Sequence, residues 1–114
     1  MALISLDYKI SWDDFEDLCC TAGFGGIDGW AHKWHINKQD RMFTIVDEEL
    51  THHHISQAMV EKVIADLFNR KKFCIEATWK SIELAVLENE YSEIDAEDAS
   101  IIFQYACFGE IAYG

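Results

Sequence analysis

Apolar side chains at Ile4, Leu6, Tyr8 and Ile10 alternate with polar ones, the period of a half-buried strand, so the chain is expected to open on one over residues 3–10. Ser11 then precedes Trp12, Phe15, Leu18, Cys19 and Ala22, spaced by three and four, with Asp13 and Asp14 at the start. That pattern predicts a helix from Trp12 to about Ala22, capped by Ser11 and favoured by acids at its positive end. Gly23 stands where a left-handed stop would fall. Trp30 to Ile36 and Arg41 to Val46 read as two strands joined through Asn37 to Asp40, and Asp47 to Thr51 as a second turn. Ser56 heads a stripe of Met59, Val60, Val63, Ile64, Leu67 and Phe68, which predicts a second helix. Ile75, Trp79, Ile82 and Val86 predict a third from about Cys74 to Glu88. Asp95 is placed to cap a fourth, whose buried side is Ala99, Ile102, Phe103, Tyr105 and Ala106 and whose stop is Gly109. Ile111 and Tyr113 suggest a short closing strand.

These elements predict one α+β domain over residues 1–114, a small antiparallel sheet packed against three or four helices. The chain is long enough for one core, and half of its residues are apolar. No apolar run approaches the ~20 residues that span a bilayer, and Met1 to Ile10 lacks the basic start of a signal peptide, so a soluble cytoplasmic protein is expected. The four cysteines have no CxxC spacing and read as core fillers.

Charge changes the picture. Residues 81–114 hold eight carboxylates and no Lys or Arg, while the first 80 residues hold thirteen acids against nine bases, so the formal charge of −12 divides into −4 and −8. Most of the surplus lies in Glu88, Glu90, Glu93, Asp95, Glu97 and Asp98. Such a surface repels a nucleic-acid backbone, so direct nucleic-acid binding is not expected, and only Arg70, Lys71 and Lys72 form a basic cluster. It suits a basic protein groove instead, whereas the plainer reading is that acidic turns keep a small protein in solution.

Motifs for chemistry are sparse. Gly23 to Gly29 is glycine-rich but carries no Lys, Ser or Thr to hold a phosphate, and no Gly-x-Ser-x-Gly occurs. His52, His53 and His54 lie beside Asp47, Glu48 and Glu49, yet in a strand only His52 and His54 share a side, and a zinc site needs a third ligand from His32 or His35. No metal and no cofactor is therefore assigned, and a zinc-dependent enzyme using His52 and His54 is the least favoured reading.

The closing Phe-Gly-Glu-Ile-Ala-Tyr-Gly, Phe108 to Gly114, follows a predicted helix from Asp98 to Cys107. Together they resemble a family of small bacteriophage proteins of unassigned activity. There a Trp-led first helix precedes Gly-Gly and an aromatic pair, then a strand, an Asp-rich turn with a His, and a last helix ending Phe-Gly-Glu-x-x-Tyr-Gly. The matching features here are Ser11 to Leu18, Gly25-Gly26 with Trp30, and Phe43 to Asp47 with His52. Ile27 to Gly29 alters the spacing of that pattern, and residues 73–90 lie outside it. The resemblance implies a phage or mobile-element origin.

Taken with the charge, it makes a non-enzymatic accessory protein the leading expectation. Such a protein would inhibit a host nucleic-acid-handling or defence complex, in the anti-CRISPR-like or anti-restriction-like sense, by presenting Glu88, Glu90, Glu93, Asp95, Glu97 and Asp98 as a nucleic-acid mimic to a basic surface. The alternative is a small-molecule binder that sequesters a nucleotide-like defence signal in a pocket of Gly25, Gly26, Trp30, Arg41, Glu110 and Tyr113.

Overall fold

In a computed structural model, residues 8–113 are described. The elements are α1 (Trp12–Thr21), a π-helical turn (Ala22–Gly26), β1 (Ala31–Asn37), β2 (Met42–Asp47), β3 (His52–Ile55), α2 (Gln57–Phe68), α3 (Glu76–Glu88) and α4 (Ala96–Phe108). The strands form one antiparallel sheet in the order β1-β2-β3, so the α+β class expected from the pattern is the one observed.

Local chemistry explains the helix starts. Ser11 Oγ accepts from the Asp14 amide at 3.1 Å, and Ser56 Oγ from the Met59 amide at 3.3 Å. At α4 the box is reciprocal: Asp95 accepts from the Asp98 amide at 2.8 Å while the Asp98 carboxylate accepts from the Asp95 amide at 3.3 Å. Gly109 ends α4 at φ +74°, in the left-handed region the sequence reserves for it.

The core face of the sheet carries Phe43 and Ile45 with Trp34, Ile36 and Ile55 as cross-strand neighbours. Phe43 meets Phe103 of α4 at 5.0 Å between ring centroids, which ties sheet to helix. Every residue of α4 from Asp98 to Tyr105 is buried, so more than one side of this helix is covered and its expected one-sided stripe understates its role. The opposite face of the sheet carries Lys33, His35, Thr44, Val46, His52 and His54.

Several expectations are corrected. Residues 3–7 of the first predicted strand lie outside the described residues, and Tyr8 to Ile10 join no strand. Instead the Ile10 amide donates to Glu61 Oε2 at 2.8 Å and its carbonyl accepts from Gln57 at 3.0 Å, which fixes this segment to α2.

Gly23 is not a left-handed stop, because α1 runs directly into the π-helical turn. A Cβ at Gly23 would lie 2.3 Å from the Trp34 ring, whose Nε1 donates to the Gly23 carbonyl at 3.0 Å, so glycine is required there for close approach. The histidine segment, for which the apolar pattern predicts no element, forms a strand, β3. Helix α3 begins at Glu76 rather than Cys74, leaving Phe73 and Ile75 exposed, and Met59 of the α2 stripe is partly exposed. The predicted closing strand is absent: Ile111 and Tyr113 pair with no strand, and Tyr113 stacks on Trp30 at 5.8 Å with 9° between the rings.

Candidate binding surface

Two surface features are candidates for a binding site, and they share a residue. The first is the turn between α3 and α4. Glu88, Glu90, Glu93, Asp95 and Glu97 are exposed along it. Its backbone is held at several points. Tyr8 and Tyr91 hydroxyls meet at 2.7 Å, Ser81 Oγ donates to the Glu93 carbonyl at 3.1 Å, and Ile94 is buried. Glu90 accepts from the Ser92 hydroxyl and amide, which holds its carboxyl below the usual range.

Asp98 is the exception to the expected acidic array. It is 4% exposed and accepts from the Thr78 hydroxyl at 2.5 Å as well as closing the capping box. A carboxylate so enclosed holds α4 to α3 and cannot face a partner. Asp95 is exposed but also committed to its cap, so the displayed charge rests on Glu88, Glu90, Glu93 and Glu97.

The second feature is a cleft of about 790 Å³ over the outward strip of α4. Glu97, Ser100, Ile101 and Gln104 line its α4 side, with Gly25, Gly26, Gly29 and Trp30 also contributing, as do Phe73 to Ile75 and, from the chain end, Ile111 and Tyr113. The cleft thus brings together Gly25, Gly26, Trp30 and Tyr113 of the expected ligand pocket.

Arg41 and Glu110 do not line it. Arg41 belongs to the far end of the β1–β2 hairpin, where its guanidinium lies 5.5 Å from the Trp12 ring centroid. Glu110 follows the α4 stop and is exposed. Sequence reasoning assigned Glu97 to the acidic run and missed its place in the cleft, together with Ser100, Gln104 and Phe73. The i, i+3/i+4, i+7 spacing of Glu97, Ser100, Ile101 and Gln104 is the signal that could have found the strip.

Internal hydrogen bonds engage Ser100 and Gln104 of this strip. Ser100 Oγ accepts from Trp30 Nε1 at 3.1 Å and from Gln104 Nε2 at 3.2 Å, and Gln104 Oε1 accepts from the Tyr113 amide at 2.7 Å. The closing segment therefore joins the cleft wall through Ile111 and Tyr113, with Phe108, Tyr113 and Trp30 in mutual ring contact. Gly26 sits against α4 so closely that a Cβ would lie 2.2 Å from the Ala96 carbonyl oxygen. Gly29 is different, since nothing lies within 4 Å of the Cβ it lacks. Cys74 lines the cleft, but burial pushes its thiol up to about 11, so it is protonated at neutral pH and a poor nucleophile.

The remaining candidate chemistry is structural where it is described. His53 Nε2 donates to Asp47 Oδ2 at 2.9 Å and its ring packs on Phe108, while His54 Nδ1 bonds Thr44 Oγ1 at 3.0 Å. Among the described residues no group of three His, Cys, Asp or Glu is placed to hold a metal ion. Two members of the basic cluster are also engaged. Arg70 pairs with Glu83 at 2.7 Å and lies over the Trp79 ring, and Lys72 donates to the Gly109 carbonyl. No helix of the described residues is long and apolar enough to cross a membrane. No family model, curated protein or solved structure matches the chain.

Proposed function

We propose that this is a non-enzymatic, cytoplasmic accessory protein that acts by binding a basic protein surface. In the setting the phage-like ending implies, that surface belongs to a host nucleic-acid-handling or defence complex, which the protein inhibits by standing in for nucleic acid. The observation that carries this reading is the α3–α4 turn. Its exposed carboxylates project from a backbone tied down at Tyr91, Glu93, Ile94 and Asp95, in a region without a single Lys or Arg. A fixed anionic array offers a partner directional charge that a loose acidic tail does not, and it speeds encounter with a cationic groove.

The test reverses Glu90, Glu93 and Glu97 to Lys while keeping Asp95 and Asp98, which the fold uses. Bacterial lysate proteins captured by the native chain at low salt are expected to be lost with the reversed variant and released as salt rises. The captured partner is expected to lose binding to duplex DNA or RNA when the native chain is present. Capture that survives the reversals overturns the reading.

A second reading, sequestration of a small molecule, draws on the cleft itself. Among the described residues the one charged side chain lining that cleft is Glu97, an anion, so none of them offers a cation to a phosphate-bearing ligand. A thermal shift with a nucleotide panel tests it directly.

A further inference from the structure

The cleft and the acidic turn are contiguous through Glu97, and their chemistry differs in a way that selects one occupant. Three large apolar side chains stand exposed around the cleft: Phe73 at 80%, Ile75 at 50% and Ile111 at 39%. Contiguous exposed apolar surface beside a polar rim is the mark of a protein contact. Small-ligand sites instead offer a few free polar groups to orient the guest. Here Ser100 and Gln104 are engaged with Trp30 and Tyr113.

The charge disfavours an anionic lipid surface as occupant, because its headgroups would meet Glu97, Glu93 and Glu90. The strip from Glu97 to Gln104 spans eight residues of helix, about 10 Å, room for two successive apolar anchors of a bound segment.

We infer that the cleft over α4 is the socket for apolar anchors of a Lys/Arg-bearing protein segment, whose cations lie along Glu97, Glu93 and Glu90 of the adjoining turn. This deepens the proposed function and rests on it: the turn attracts the basic partner, and the cleft decides which basic partner stays. Affinity then depends on apolar side chains next to positive charge, and not on positive charge alone.

Three synthetic peptides of one length separate these contributions by calorimetry at low salt: a Leu/Lys amphipathic peptide, a Ser/Lys peptide of identical charge spacing, and a neutral Leu/Ser peptide. The Leu/Lys peptide is expected to bind at least about tenfold more tightly than either control, the increment of burying one or two apolar side chains. Gly29→Leu plugs the cleft at a position with open space around it, and the ratio of Leu/Lys to Ser/Lys affinity is expected to collapse toward one. Phe73→Ser, at a largely exposed wall position, is expected to lower the same ratio and carries the test should Gly29→Leu fold poorly.

Equal affinity of the Leu/Lys and Ser/Lys peptides, or a ratio untouched by both variants, overturns the socket while leaving the acidic turn standing. Binding of neither cationic peptide overturns the acidic-turn reading and the socket with it. Leu/Ser binding as tight as Leu/Lys binding overturns the requirement for a cationic segment.

Discussion

The β2–β3 turn and the α3–α4 turn are both acid-rich, and each buries one of its carboxylates. In the first, Asp47 is enclosed while Glu48 and Glu49 face solvent; in the second, Asp98 is enclosed while Glu88, Glu90, Glu93, Asp95 and Glu97 are exposed. Asp47 gathers the Glu49 and Thr51 amides on one oxygen and His53 on the other. Asp98 gathers the Thr78 hydroxyl and the Asp95 amide. The buried acid fixes the backbone, and its neighbours inherit a fixed direction. The turns differ in what lies beside the displayed charge. At Glu97 the acids run into an apolar cleft, so only the second turn joins attraction to a place for anchoring.

The comparison is broken most severely at Asp98. Asp98→Ala removes one half of the capping box and leaves the fully buried Thr78 hydroxyl without its acceptor, and the expected loss of stability is about 3 kcal/mol. Thr78→Val keeps the box and is expected to cost about 1 kcal/mol. Urea unfolding of both single variants and the double variant measures the coupling between them. If Asp98→Ala unfolds no more readily than the native chain, the buried acid is not what fixes this turn.

Asp47→Asn follows, with an expected loss of about 2 kcal/mol at neutral pH from its charge-assisted hydrogen bonds. The His53 hydrogen bond, aided by the turn amides and opposed by burial, holds the Asp47 carboxyl below its ordinary 3.8. A depressed carboxyl contributes stability in full above its unfolded value and loses it as pH falls through the folded one. The native chain is therefore expected to lose urea resistance steeply below about pH 4, and Asp47→Asn to show a flatter acid limb. Parallel acid limbs in the two proteins remove Asp47 from the account of this turn.

How much of this was legible follows from where the information lay. Ser11, Ser56 and Asp95 announce their helices because a cap is a local bond between residues three apart. The β1–β2 hairpin shows through its two apolar runs. Strand β3 did not, because His52 to His54 lack an apolar alternation and take their strand form from pairing with Val46, Ile45 and Thr44.

Tertiary contact sets the shape of the glycine segment, with Trp34 filling the space above Gly23 and Ala96 abutting Gly26. Gly25, Gly26, Trp30 and Tyr113 were legible as pocket residues from their glycine and aromatic character. Arg41 was misassigned because the strand that follows Trp30 carries the chain to the other end of the sheet. Glu97 looked like one more acid in a run. Only the docking of residues 73–75 and 111–113 around α4 makes it the charged lip of a cleft.

The smallest expected effect on the fold is the sharpest test of the comparison. Glu90→Gln, Glu93→Gln and Glu97→Gln together keep the size of each side chain and one acceptor oxygen, so the side chain at position 90 can still accept from Ser92, which uses one oxygen of Glu90. None of the three is buried, and the Tm is expected to stay within about 3 °C of the native value. Affinity for the Leu/Lys peptide is nonetheless expected to fall by at least about tenfold, with a shallower dependence on salt, because the displayed acids steer the cation while the anchoring acids Asp95 and Asp98 remain. Scanning calorimetry and peptide titration on the same preparation read both quantities. A Tm that drops as far as in Asp98→Ala makes the displayed acids structural after all. An unchanged Tm with unchanged affinity leaves this turn as solvated as the one at Glu48 and Glu49, and the contrast between them disappears.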